Sequence, residues 1–130
     1  MLEGFERLNI SLKGKIYVSI SDVAIGFPKK SVEALGNPEF VNVLINPQTK
    51  EFAVQAVTDK HDTGTFTFFH PQKSGLVFAR WLNHRLIHSL ATLGSLQLEQ
   101  GKRYHIPGTY YPEENAIIFH LQEAEIKKEK

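Results

Sequence analysis

The sequence predicts an α+β fold dominated by strands: a small β-rich barrel made of two strand–helix–hairpin units, the second with the longer helix. Three observations carry that prediction. Apolar residues alternate with polar ones at Ile16, Val18 and Ile20, the period of a strand with one buried face. A short helical stretch bracketed by Pro28 and Gly36 leads directly into a hairpin turning at Asn46-Pro47. The same outline then recurs. Gly36 stands 11 positions before Pro47 and Gly101 stands 11 before Pro112, and QTKEFAV after the first proline aligns with EENAIIF after the second.

Residues 1–14 mix Phe5, Leu8, Ile10 and Leu12 with charged neighbours and suit either a strand or a one-sided turn. The KIYVSIS strand follows, and Phe27-Pro28 opens the first helix. Proline at the first helical position gives up an N–H that has no intrahelical partner anyway. Val32 and Leu35 share one face, Gly36 suits the left-handed position that ends a helix, and Pro38 blocks continuation. Such a short helix must be held by the sheet it packs on. In the hairpin, Val41, Val43 and Ile45 are expected to form the buried face of the outgoing strand, and Phe52, Val54 and Ala56 that of the return. A charge at Val43 or Val54 is then expected to unfold the protein.

The polar stretch TDKHDTG, residues 58–64, marks the expected boundary between halves. The chain reads as a single domain over 1–130, with halves 1–58 and 65–122 and a charged tail, 123–130, expected to fray. TFTFF reads as a strand and HPQKSG as a loop. The longest helical pattern runs from about Leu76 to Leu93, with Phe78, Leu82, Leu86, Leu90 and Leu93 on one broad face, Trp81 at its edge and Gly94 at its end. KRYHIPGTYYPEENAIIFHL then reads as a second hairpin, turning at Tyr111-Pro112.

Composition places the 130-residue chain in the globular class, with 42% hydrophobic and 22% charged residues. Its formal net charge is +1, so any contact with a polyanion must come from a local basic patch. The absence of cysteine excludes disulfides and thiolate metal sites. No run approaches the roughly 18 apolar residues that span a bilayer, and MLEGFERLNI carries Glu3 and Glu6 where a signal peptide would be apolar. A cytoplasmic location with no membrane partner is the expectation.

Residues 20–57 resemble the swapped-hairpin DNA-binding domain of the AbrB, MazE and SpoVT group. The likeness rests on Phe27-Pro28, on Leu35-Gly36 and on the hairpin from Val41 to Val57. It implies a small barrel whose strands interleave between two units, from two chains or from tandem repeats in one. It also implies a bacterial transcriptional regulator or antitoxin, a homodimer binding double-stranded DNA, and a cognate toxin as a protein partner. The family's DNA-contacting arginines do not carry over: Val23-Ala24 precede the proline, and Val32-Glu33 stand in the helix.

The remaining cations in the segment are Lys29 and Lys30, at a helix N-terminus where phosphates are favoured; the alternative is a solvated polar face. Lys13 and Lys15 share a strand face if the strand extends that far. The four together would release about four counterions, for a log–log salt slope near −3.6. Arg80, His84 and His88, spaced by four, form one expected helical stripe for a protein partner or small ligand in a non-enzymatic module. HRLIH places Arg85 where a metalloprotease has its glutamate, and no third metal ligand is evident. Tyr104, Tyr110 and Tyr111, with Lys102 and Arg103, fit a sheet better than a stacking platform. No nucleophile elbow or phosphate-cradling glycine loop occurs, and His61-Asp62 is not joined by one. Catalytic residues, metal and cofactor are therefore not expected.

Overall fold

The computed structural model describes residues 16–57, 65–69 and 75–128. They form a β-rich α+β fold: one open, curled antiparallel sheet, a half-barrel, with two helices. The first part contains β1 (Tyr17–Ser21), β2 (Ile25–Phe27), α1 (Lys29–Ala34), β3 (Phe40–Asn46) and β4 (Glu51–Val57). After it come β5 (Phe66–Thr67), β6 (Ala79–Trp81), α2 (His84–Gly94), β7 (Lys102–Tyr111), β8 (Ala116–His120), a 3-10 turn (Leu121–Glu123) and β9 (Glu125–Lys128). The strand order is β5-β3-β4-β8-β7-β1-β2-β6, with β9 also paired to β7.

The alternation read from the sequence fills the inside of the curl. Val18, Ile20, Ile25, Phe27, Phe52, Val54, Ile106, Ile117 and Phe119 are all buried. Phe27 lies edge-on to Phe68 and Trp81, at 4.9 and 5.0 Å between ring centroids, and Phe52 stacks on Phe119 at 5.0 Å. The two ends of the sheet are tied by one side chain. The indole N–H of Trp81, on β6, donates to the Thr67 carbonyl, on β5, at 2.6 Å.

Helix α1 ends as expected at Gly36, whose φ is +84°. The N–H of Gly36 donates to the Glu33 carbonyl and that of Asn37 to the Val32 carbonyl, the paired bonds of a glycine-terminated helix. The first hairpin turns over Pro47–Lys50 and the second over Pro112–Asn115, with Lys50 and Asn115 both at positive φ.

Four expectations are corrected. The long helix does not run from Leu76 to Leu93. Ala79–Trp81 is a strand paired to β2, Trp81 is buried, and Phe78 and Leu82 are 40% and 62% exposed. The three- and four-residue spacing of those side chains matched a helix by coincidence, while Asn83, whose side chain caps Leu86 N–H, marks the true start. Ile45 is 58% exposed, because β3 outruns the core near its turn. Val43 is only partly buried, so of the two positions Val54 alone is a fully enclosed site for a disruptive charge. The tail expected to fray forms β9, with Lys102–His105 of β7 as its partner.

Candidate functional site

Lys13 and Lys15, along with His61-Asp62, lie outside the described residues. Lys29 and Lys30 are the first two residues of α1 and both are exposed. His84 and His88 sit one turn apart on α2, also exposed. Arg80 does not join them in a helical stripe. It is the exposed middle residue of β6, directly opposite Gly26.

That placement puts Arg80 in a site the sequence did not reveal. Residues paired across antiparallel strands share a face of the sheet. Arg80 pairs with Gly26, Gly26 with Ser19, and Ser19 with His105. Glu125 of β9 pairs with His105 in turn, so the five residues form a row across β6, β2, β1, β7 and β9 on the side away from the core. Ser21 and Arg103 form the next pair on one side, Tyr17 and Pro107 on the other.

Gly26 leaves room for the Ser19 side chain, since a Cβ there would stand 2.9 Å from Ser19 Oγ. These strands frame a groove of about 390 Å³. Tyr17, Ser19, Gly26, Arg80 and Arg103 line it, and Val23 and Phe78, 53% and 40% exposed, contribute apolar wall. No carboxylate is among its lining residues. Pro28 also lines it, and Lys29 and Lys30 follow at the next two positions. At one end the Tyr17 ring stacks on the His105 imidazole, 4.5 Å between centroids and 23° apart in plane.

The serines differ in what they can offer a ligand. The Ser21 hydroxyl accepts the N–H groups of Val23 and Ala24 at 3.3 and 3.2 Å, so it is committed to the β1–β2 turn. Ser19 makes only a long bond, 3.4 Å, to the Gly26 carbonyl. Its hydroxyl is the one positioned for an incoming acceptor or donor. Of the tyrosines weighed from sequence, Tyr104 is buried with its hydroxyl on the backbone of Gln97, and Tyr110 donates to Asn115 Oδ1 at 3.0 Å. Both are sheet residues.

A second polar cluster lies on β4, β7 and β8. Glu51 Oε2 meets His120 Nδ1 at 2.6 Å, and His120 Nε2 lies 3.1 Å from Thr109 Oγ1. The Glu51 carboxyl is held below its ordinary value, first by the Thr49 hydroxyl at 2.8 Å and then by His120, with burial working against both. The hydroxyl–imidazole–carboxylate order is that of an acyl-transfer triad. Glu51 and His120 are direct partners across β4 and β8, so the cluster links β4, β8 and β7. Among the described residues no group of three or more His, Asp or Glu side chains could hold a metal ion, and no helix is long and apolar enough to cross a membrane.

Comparison of the chain with protein-family models, with curated proteins and with solved structures gives no match.

Proposed function

We propose that this chain is a nucleic-acid-binding protein of swapped-hairpin architecture that contacts phosphates through the groove and the adjoining turn of α1. The observation that carries this reading is that Arg80 and Arg103 line one recess with no carboxylate among its lining residues, next to Lys29 and Lys30. On a chain with net charge +1, such a cluster is the local basic patch that polyanion binding requires.

The strand pairing supports the architectural part. The first strand of each half lies on the hairpin of the other: β1 on β7, and β5 on β3. The hairpins meet through β4 and β8, where Ala53 pairs with Ile118, its own counterpart 65 positions on. Ala56 N–H donates to the Asn115 carbonyl, and its counterpart Leu121 N–H donates to the Lys50 carbonyl, the counterpart of Asn115. These paired bonds fit two interleaved units related by an approximate two-fold axis within one chain. The sheet then needs no second copy to form. The resemblance adds transcriptional regulation or antitoxin action in the cytoplasm as the role such a protein would serve.

Titration of fluorescent duplex and single-stranded oligonucleotides at low and moderate salt tests the reading. Absence of binding to either at low salt overturns it. Exchange of Lys29, Lys30 and Arg80 for glutamate should abolish binding with the melting temperature nearly unchanged, because all three are exposed. The alternative of partner recognition by Arg80, His84 and His88 loses its geometric basis, since Arg80 belongs to the groove and the histidines to α2.

A further inference from the structure

Resting on the nucleic-acid reading above, we infer that the groove holds an unpaired nucleotide, its base against the Tyr17–His105 stack and its phosphate on Arg80 and Arg103. The recess, about 390 Å³, is in the range that encloses a small ligand. It suits one nucleotide-sized group, whereas a duplex keeps its bases stacked and offers only their edges. An unpaired base presents a whole π-face, and aromatic side chains on a sheet surface beside cations are the usual receivers of it.

The cross-strand row sets the scale. Arg80 and His105 are separated by three strand spacings, about 14 Å. An arginine at one end and a ring platform at the other leave the middle of the groove for the sugar and phosphate. The Ser19 hydroxyl lies over Gly26 in the groove lining. The exposed Val23 and Phe78 on the wall cover the apolar edge of a base or sugar. Arg80 and Arg103 supply planar forks that match phosphate oxygens.

The chemistry recognised, one base and one phosphate, is shared by single-stranded nucleic acid and by free nucleotides. Fluorescence anisotropy on the whole chain with a labelled oligothymidylate, the matching duplex and a competing nucleoside monophosphate separates the cases. The single strand should bind more tightly than the duplex. With Lys29 and Lys30 on flanking phosphates, three phosphates neutralised give a salt slope near −2.1 for single strands. Competition by the monophosphate at equal nucleotide concentration assigns the groove to free nucleotides; a much stronger oligonucleotide assigns it to a strand.

Tyr17→Ala should weaken single-strand binding roughly 10-fold or more, and Tyr17→Phe should restore it. Arg80→Glu, at an exposed position, should weaken it without changing the melting curve. Duplex binding as tight as the single strand, or Tyr17→Ala without effect in a protein that melts normally, overturns the inference while the phosphate-contact reading stands. Failure of every oligonucleotide to bind overturns both.

Discussion

The hydroxyl of Ser31 does the work of a missing strand partner. Beyond the end of β2, at Pro28, the Tyr17 backbone has no N–H or carbonyl to pair with on that edge. Ser31 Oγ accepts the Tyr17 N–H at 3.1 Å and donates to the Tyr17 carbonyl at 2.7 Å, and it is fully buried. Ser31→Ala leaves both backbone groups unsatisfied and should cost about 1–3 kcal/mol, read as a lower urea midpoint. A serine between Lys30 and Val32 carries no periodicity signal, so sequence alone did not mark it. The Glu51 cluster gives a pH prediction. Because the folded carboxyl sits below its ordinary 4.5, its contribution is present above that value and is lost as pH falls through the lower folded one. Melting temperature should therefore fall more steeply below about pH 4.5 in the wild type than in Glu51→Gln; parallel curves refute it. Glu51 and His120 are 69 positions apart, a separation that hid the pair in the sequence.

Among the elements, the end of α2 shows how two demands on glycine were divided. Gly94 was legible as a helix end. Yet the left-handed residue is Ser95, with φ of 57°. Gly94 is needed for a different reason: a Cβ there would stand 2.9 Å from Leu121 Cβ. Gly94→Ala should destabilise by about 1–3 kcal/mol through overpacking, whereas Ser95→Gly should stabilise by about 1 kcal/mol by relieving the left-handed strain. Thermal melts of the two variants should move in opposite directions. By contrast, the six residues of α1 could be placed from Pro28 and Gly36 alone, because local backbone chemistry bounded the element at both ends.

For the molecule as a whole, closure of the curl depends on Trp81. Its bond to the Thr67 carbonyl joins two sheet edges that share no strand pairing among the described residues. Trp81→Phe keeps an aromatic ring beside Phe27, Phe66 and Phe68 and removes the bond. It should cost about 1 kcal/mol and speed hydrogen exchange at Phe66 and Thr67 more than at Val54. Equal acceleration at both places would show that the bond does not hold the edges together. The groove likewise belongs to this scale. Ser19, Gly26, Arg80 and His105 become neighbours only because β2 lies between β1 and β6 while β7 flanks β1.

Features set within a few residues were legible along the chain. Alternation marked β1 and β4; alignment of EENAIIF with QTKEFAV marked β8; Pro28, Gly36 and the turns after Pro47 and Pro112 bounded α1 and both hairpins; the constant offset of 65 between hairpins matches Lys50 and Asn115, both at positive φ. Each follows from backbone conformation or side-chain period within a few residues. That Ala79–Trp81 is a strand emerges from the folded sheet alone, because its partner Ile25–Phe27 lies more than 50 positions away. The same is true of Arg80, removed from a helix stripe and set on the groove that Arg103 also lines. Strand order is chosen by which apolar faces bury together, and that choice is made across the whole chain.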